Sequence, residues 1–423
     1  MYLDSLYLRN LRCFREAELR FQFPGRTRGP DEAPLPKLSN VNLLLGNNGA
    51  GKTTILRGAA MALLAPALKR SSGFRPYAMV RRTFEGKTGR PPKFAEVKAK
   101  TVLSPQDTGR RNPSKSFGGL FLRLERLEDE DVISAGTRAI GLWRNMFRER
   151  SSAFVVLGYG ATRRIASAKE DITGRIKSSQ LRFQRVQGLF EEGVSLVPLA
   201  WSLPQLNPGR RKQVINLIDR LIGTFYKFEG RVEAGELYFK RGSAHVPMSA
   251  LSDGFRAYIA WIGDMLYHIS GSPSGKKLTE NEGVVLLDEV DLHLHPDWQR
   301  SVIKTLSETF PKLQFIFTSH SPLVTASLEW TNIWVMEEAG PIQLPNEPIY
   351  GLSADQVLQS PYFALDSARP PEVAEELRVL DQQAQTGDRR AAVEFMQRLA
   401  HGSEQRVFKK ASKAIRAPVK SNS

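Results

Sequence analysis

The segment that follows a short apolar run at residues 41–45 constrains this chain most. That run, VNLLL, is typical of a buried strand, and ILRGAAMALLAPAL from Ile55 onward is typical of an apolar helix. Between them, Gly46–Thr53 matches the pattern G-x4-G-K-[ST]. Glycines let a backbone wrap closely around a phosphate, and the positive end of the following helix points at the same anion. The order of strand, loop and helix therefore predicts a phosphate-binding loop in an α/β fold.

This loop predicts a nucleotide site in which the side chains have separate tasks. Lys52 is expected to reach the β- and γ-phosphates, and the hydroxyl of Thr53 is expected to ligate Mg²⁺. The loop alone does not separate ATP from GTP. The predicted nucleotide-binding positions here are Gly46, Asn47, Asn48, Gly49, Ala50, Gly51, Lys52, Thr53 and Thr54.

A second motif places two carboxylates after a buried strand. Asp288 and Glu289 directly follow the apolar run VVLL at residues 284–287. Ligands of α/β sheets lie at the carboxyl ends of the strands. Asp288 is therefore expected to hold Mg²⁺ through water, and Glu289 to orient and deprotonate an attacking water. Since 236 positions separate Lys52 from Asp288, a large insertion must lie between the two halves of the site.

The remaining pattern alternates buried strands with helices and predicts a mainly parallel sheet that is covered on both faces. FAEVKAKTVL and GLFLRLERL predict an antiparallel β subdomain, HPDWQRSVIKTLSETF predicts one helix, and two short helices are expected near the end, the second capped by Asp388. We expect an N-terminal lobe at 1–164, a helical lid insertion at 165–245, a C-terminal lobe at 246–345, and C-terminal helices with a basic tail at 346–423.

Two further motifs resemble those of one ATPase class. LSDGFR at 251–256 resembles the signature motif of ABC-type ATPases, and Ser252 with the N–H of Gly254 can hold a γ-phosphate at a helix N-terminus. TSHSP at 318–322 resembles the switch-histidine loop of the same class. Together with DEVDLHLHP, these motifs look like the SMC/RecF/OLD-type branch, in particular the small ATPases without coiled coils in bacterial defence and DNA-maintenance operons.

The resemblance implies further roles for individual residues. His320 would contact the γ-phosphate and the attacking water, so that Glu289 and His320 are the expected catalytic pair. Asp253 would join Ser252 and Gly254 in the signature, and Asp291 would cross a dimer interface. The cofactors would be ATP and Mg²⁺, bound between two copies of the chain. The candidates for the glutamine that this class uses near its site are Gln180, Gln184 and Gln187.

The same resemblance implies a slow, regulated ATPase. The dimer would close on ATP and regulate a separately encoded effector, a nuclease or a toxin; the ATPases of Septu-like defence systems work with a nuclease. One alternative is a sensor that sequesters a toxic partner. A self-contained OLD-type nuclease is disfavoured because no D-x-D follows Pro322, and a transporter subunit because its signature would be nearer LSGGQ.

Charge and composition add predictions about partners. The net charge is +16, and residues 69–115 hold thirteen Lys/Arg against three acids, which predicts a nucleic-acid contact. Cys13 is the single cysteine, and no run approaches the ~20 apolar residues of a membrane helix, so we expect a cytoplasmic protein without membrane contact. His293 and His295 suggest a metal site, but no third ligand is evident.

Overall fold

The computed structural model describes residues 1–403 with several gaps. Outside the description, besides 404–423, are 31, 69–73, 75, 77, 84–88, 104–106, 108–116, 129, 139–141, 148–154, 166–180, 224, 272–276 and 346. The chain divides into two units, Met1–Val357 and Leu358–Ser423. The four-part division expected from the sequence stays a prediction.

The strands of the described chain all lie in the first unit. In chain order they are β1 Tyr2–Leu11, β2 Phe14–Arg20, β3 Val41–Leu45, β4 Phe94–Val102, β5 Phe117–Arg126, β6 Asp131–Gly136, β7 Val155–Tyr159, β8 Arg164–Ile165, β9 Ser195–Leu196, β10 Val232–Glu233, β11 Glu236–Arg241, β12 Ala244–Pro247, β13 Gly283–Leu287, β14 Leu313–Thr318, β15 Ile333–Glu337 and β16 Gly340–Ile342.

The α-helices are numbered in the same way. They are α1 Lys52–Leu63, α2 Ala65–Leu68, α3 Leu142–Met146, α4 Leu181–Gln187, α5 Leu199–Ser202, α6 Pro208–Ile222, α7 Asp253–Ser270, α8 Pro296–Gln299, α9 Val302–Thr309, α10 Pro322–Thr325, α11 Ala354–Gln359, α12 Pro371–Gln385 and α13 Arg389–Ser403. Within the described chain, no helix has the length and apolar character required to cross a membrane.

The core sheet has the strand order β16-β15-β3-β14-β13-β7. All neighbours are parallel except the edge pair β15–β16. Every residue of β3, β7, β13 and β14 is buried, as expected for parallel strands covered on both faces. The predicted mainly parallel core is confirmed.

A second, antiparallel sheet has the order β2-β1-β4-β5-β6 and confirms the predicted β subdomain. Strand β4 alternates as its sequence predicts, with Val97 and Ala99 buried and Lys98 and Lys100 exposed. Helix α1 lies between the two sheets, because it contacts β1, β4 and β5 of the antiparallel sheet as well as β7, β13 and β14 of the core. The start of α1 is therefore fixed by both sheets.

Buried amide side chains join the two sheets. Gln314 of β14 accepts a hydrogen bond from the N–H of Leu3 at 2.7 Å and donates one to the Leu3 carbonyl at 2.7 Å. Asn42 of β3 accepts from the N–H of Gln22 at 2.7 Å and donates to the Gln22 carbonyl at 2.9 Å. A buried amide left without partners costs ~1–3 kcal/mol, so these bonds fix the position of one sheet on the other.

Two predictions about helices have different outcomes. The single helix expected over residues 295–310 is wrong, because the chain forms α8 and α9 with a break at Ser301, whose φ is −119°. The Ser301 hydroxyl lies 3.3 Å from the Asp297 carbonyl and competes with the backbone there.

In the second unit, Asp388 accepts from the N–H of Arg390 at 2.8 Å and caps α13 as predicted.

Candidate functional site

The predicted phosphate loop connects β3 to α1 in a conformation that depends on glycine. Gly46 has φ of 143° and Gly51 has φ of 101°, values that other residues rarely adopt. A Cβ atom on Gly51 would lie 2.4 Å from the ring of Phe14 and 2.6 Å from Sγ of Cys13. The turn between β1 and β2 therefore borders the loop, a contact for which the sequence gives no signal.

The ammonium group of Lys52 lies against the backbone of the loop. Its Nζ donates to the carbonyl oxygens of Gly46 at 2.7 Å and Asn47 at 3.1 Å. Burial lowers the pKa of Lys52, and the carboxylates at 288, 289 and 291 act in the opposite direction. The predicted phosphate-binding cation thus faces both the loop and the acidic end of β13.

Two threonine hydroxyls, one predicted and one not, meet at the Asp288 carboxylate, which directly follows β13. Thr53 donates its hydroxyl hydrogen to Oδ2 of Asp288 at 2.7 Å, and Thr318 donates to Oδ1 at 2.6 Å. The N–H of Glu289 donates to the Thr318 hydroxyl at 2.7 Å. Residues 235 positions apart in the chain, Thr53 and Asp288, are therefore in direct contact.

The predicted switch histidine lies beyond the next strand of the sheet. His320 is two residues past the end of β14 and is half-buried. The Ser321 hydroxyl caps α10 by accepting from the N–H of Leu323 at 3.1 Å, and it donates to Oε1 of Gln299 at 2.7 Å. Because β13 and β14 are parallel neighbours, His320 and Glu289 follow adjacent strands at the same edge of the sheet.

The predicted signature turn forms the start of α7 and contacts the segment that follows Asp291. Ser252 and Asp253 are exposed, and Ser252 caps the helix through the N–H of Phe255 at 3.4 Å. A Cβ atom on Gly254 would lie 1.9 Å from the carbonyl oxygen of His293. The signature turn and the segment that follows Asp291 (the Asp291 segment) therefore form one surface, and Gly254 lies where they touch.

The two histidines of DLHLHP do not form a metal site with other described residues. Nδ1 of His295 lies 3.4 Å from the N–H of Asp297 and 3.4 Å from its carboxylate, and the imidazole is largely exposed. Among the residues that the structure describes, no group of three or more His, Cys, Asp or Glu side chains is arranged to bind a metal.

A small cavity of about 70 Å³ lies beside the end of β7, and among the side chains that line it the sequence offered a candidate role only for Gln184 and Gln187. Tyr159 donates its hydroxyl hydrogen to Asp264 of α7 at 2.8 Å, and the N–H of Val197 donates to the same carboxylate at 2.8 Å. Burial raises the pKa of Tyr159, and the nearby Asp264 acts in the same direction. Burial lowers the pKa of His268 to about 4, so its imidazole is neutral at pH 7. This network connects β7 with the signature helix.

Arg163 belongs to the segment LGYGATRR and lines the same cavity. Its guanidinium donates to the carbonyl oxygens of Asp288 and Glu289. Burial lowers the pKa of Arg163 to about 10, while the carboxylates of Asp288, Asp291 and Glu289 raise it. The side chain therefore stays charged at neutral pH and contacts the backbone of the acidic motif directly.

Two of the three candidate glutamines line this cavity as well. Gln184 and Gln187 belong to α4, and the amide of Gln187 donates to Glu191 at 2.7 Å. Gln180 lies outside the described residues. The sequence could not rank these three. Within the part of the chain that the structure describes, Arg163 and neither Gln184 nor Gln187 is hydrogen-bonded to the acidic motif.

The basic region at 69–115 is described only in part. On β4, Lys98 lies 3.8 Å from Glu96, and Lys100 lies 3.9 Å from Asp4. Most of the other basic residues of this region, and the basic tail at 404–423, lie outside the described residues.

Comparisons with known proteins find ATPase families and relatives. A protein-family model described as "AAA domain" matches residues 5–183, and a second, described as "AAA domain, putative AbiEii toxin, Type IV TA system", matches residues 157–326. The chain is 25% identical over 382 residues to the Septu protein PtuA of Bacillus mycoides (strain KBAB4), covering 87% of this chain and 46% of that protein. The chain thus spans about half the length of this relative.

Two further matches are more limited. The Retron Ec83 probable ATPase of Escherichia coli is 32% identical over 138 residues, which is 32% of this chain and 25% of that protein. A solved SMC head bound to the C-terminal winged-helix domain of ScpA has a TM-score of 0.49 and 13% identity, with 82% of this chain and 98% of that chain covered. The two AAA-domain matches and the relatives named as ATPases confirm the resemblance predicted from the sequence, which is to an ABC-type ATPase of the SMC/RecF/OLD-like branch.

Proposed function

We propose that this chain binds and hydrolyses ATP, closes into a homodimer around two ATP molecules, and so regulates a separately encoded effector in antiphage defence or DNA maintenance. The observation that carries the proposal is the convergence of Thr53, Asp288 and Thr318 through hydrogen bonds of 2.6–2.7 Å. The proposal includes slow, regulated turnover in the cytoplasm, with a nuclease as the preferred effector.

The side chains at this edge fit Mg²⁺ and the phosphates of ATP. Hydroxyl and carboxylate oxygens suit Mg²⁺, and Thr53 and Asp288 bring one of each together at 2.7 Å. Lys52 would exchange its two carbonyl partners for the β- and γ-phosphates. When bound, Mg²⁺ supplies positive charge that offsets the charge of the phosphates.

Glu289 and His320 are the proposed groups for activating water. The Glu289 carboxylate has no hydrogen-bond partner within the described part of the chain, so it is available to accept a proton from water. His320 follows the neighbouring strand, where it could contact the γ-phosphate. Asp288 is bonded on both oxygens, which suits it to hold the metal rather than to take up a proton.

The proposed dimer uses the surface shared by the signature turn and the Asp291 segment. Ser252 and Asp253 are exposed there. Oδ1 of Asp291 and Nε of Arg256 are buried yet have no hydrogen-bond partner in the described chain. Such atoms are costly unless another group satisfies them, and the nucleotide and loop of a second copy would bring donors and acceptors. ATP would then favour the closed dimer by adding contacts that only this state makes.

The relatives support a role in defence. Septu PtuA and retron ATPases are named for such systems, and the resemblance implies a nuclease partner. A second candidate is a sensor that sequesters a toxic partner, since one matching family is described as a putative toxin of a toxin–antitoxin system. The protein that co-purifies with the native chain distinguishes them: a nuclease favours the first function and a free-standing toxin the second.

Replacing Lys52 with alanine tests the nucleotide site. We expect the affinity for ATP to fall by at least about 30-fold, because a cation–phosphate contact is lost, and ATP-dependent dimerisation to disappear. Isothermal titration and light scattering measure both. Lys304→Ala is the matched control, since Lys304 is exposed and its one ion pair among the described residues is with Glu308 at 3.9 Å. Wild-type protein that stays monomeric with ATP and Mg²⁺ would refute the dimer; undiminished ATP binding by Lys52→Ala would refute the site.

We also propose that the basic region at 69–115 binds nucleic acid. Changing its basic residues to glutamine should flatten the dependence of DNA affinity on salt, because each lost phosphate contact reduces the slope of log K against log salt by about 0.9. Fluorescence anisotropy with duplex DNA at several salt concentrations measures the slope. The control changes Arg389 and Arg390 of α13 instead. If the wild type binds neither DNA nor RNA at low salt, the region instead docks a protein.

A further inference from the structure

Arg163 places a positive charge near the acidic motif and also forms hydrogen bonds to its backbone. Its guanidinium donates to two successive carbonyl oxygens, those of Asp288 and Glu289, and its Nε lies 3.3 Å from the carbonyl of Gly160. The N–H of Asp288 in turn donates to the Tyr159 carbonyl at 2.9 Å. The segment after β7 therefore holds the backbone of the acidic motif along its edge.

The backbone of Glu289 needs such support. Its φ is 49°, in the left-handed region that residues with a Cβ rarely occupy and that persists only where surrounding contacts enforce it. Thr318 accepts its N–H at 2.7 Å on one side, and Arg163 binds its carbonyl on the other. No described residue holds the carboxylate itself, so the backbone contacts fix the direction of the Cα–Cβ bond from which the carboxylate reaches into the site.

We propose that Arg163 is a positioning residue for ATP hydrolysis, which orients the Glu289 carboxylate by holding the carbonyl groups of Asp288 and Glu289. This inference rests on the proposed function, in which Glu289 activates water. It assigns a role to an arginine just after β7 for which the sequence offered no candidate.

The chemistry of the contact favours arginine over other residues. A guanidinium holds its nitrogens in one plane at fixed separation, so that Nη2 reaches the carbonyls of Asp288 and Glu289 while Nε reaches the Gly160 carbonyl at 3.3 Å, whereas an ammonium is a compact charge without that geometry. Lysine at this position would keep the charge near Asp288 and Asp291 and lose this arrangement of donors, so the two contributions can be separated by substitution.

The test compares Arg163→Gln, Arg163→Lys and the matched control Arg164→Gln, whose arginine is exposed and lies in β8. We expect Arg163→Gln to lower kcat by about 10- to 100-fold while the Kd for ATP stays within about 2-fold, because charge-assisted bonds to the backbone of Glu289 are lost. Arg163→Lys should fall between this variant and the wild type, and the control should match the wild type.

A double substitution shows whether Arg163 acts through Glu289. In single-turnover hydrolysis of labelled ATP, Arg163→Gln should cause no further loss when Glu289 is already glutamine, because the group to be oriented is gone. A further 10-fold loss in that background would overturn the proposal, as would wild-type kcat in Arg163→Gln. If Arg163→Gln does not fold, a wild-type kcat in a folded Arg163→Lys overturns it instead. If the wild type binds ATP and hydrolyses it but Glu289→Gln is fully active, the proposed function fails first.

Discussion

Replacing Glu289 with glutamine is expected to lower kcat by at least about 100-fold and to trap an ATP-bound dimer. The amide has the shape of the carboxylate but cannot accept the proton of the attacking water. The remaining contacts to ATP persist, because Lys52, Thr53 and Asp288 are unchanged. Phosphate release measures turnover, and light scattering with ATP and Mg²⁺ measures the dimer.

The matched control is Glu338→Gln, which neutralises an exposed carboxylate between β15 and β16. It should hydrolyse ATP like the wild type and return to the monomer when ATP is consumed. If Glu289→Gln turns ATP over normally, the assignment of Glu289 as the base is wrong. If turnover stops but no dimer accumulates, the proposed role of ATP as the link between two subunits is wrong.

Replacing Gly254 with alanine is expected to abolish dimer formation and to lower turnover by about 100-fold, with ATP affinity at the phosphate loop changed by less than about 2-fold. The reason is steric, because the added Cβ would lie 1.9 Å from the His293 carbonyl, a distance that real Cβ atoms essentially never show. The signature turn and the Asp291 segment must then separate. Light scattering, phosphate release and titration with ATP measure the three quantities.

Gly271→Ala serves as the matched control for this substitution. Gly271 follows the other end of α7, and the one described atom that its added Cβ would approach is the His268 carbonyl oxygen, at 3.7 Å. It should behave like the wild type in all three measurements. A Gly254→Ala protein that dimerises with ATP as the wild type does would show that the shared surface described above does not form the interface. Weakened ATP binding in that variant would instead point to damage at the phosphate loop.

The sequence predicted that Asp288 and Glu289 lie beside the phosphate loop, because both segments directly follow strands of one parallel sheet. Once residues 41–45 and 284–287 are assigned to one parallel sheet, the residues after each strand must meet at one edge. The contact of Thr53 with Asp288 follows from that rule, although 235 positions separate them. The role of Thr318 was not predicted, since a threonine at the end of a strand has many possible partners.

Arg163 shows why other contacts of the site could not be predicted from the sequence. Its neighbour in sequence, Arg164, is also an arginine, and no periodicity separates an arginine that faces a backbone from one that faces water. The break between α8 and α9 is a similar case. The apolar spacing of that region fits one helix, and a local hydrogen bond from Ser301 decides against it.

The position of β3 within the core sheet also determines when the site can form during synthesis. Its two neighbours are β14 and β15, and the Leu3 backbone is paired with a side chain 311 positions later. A ribosome releases β3 long before either neighbour exists, and pairing between such distant segments is slow. The nascent chain therefore cannot complete its phosphate loop until residues up to about 337 have emerged. The order of strands in the sheet therefore makes the site form only after β14 and β15 have been synthesised.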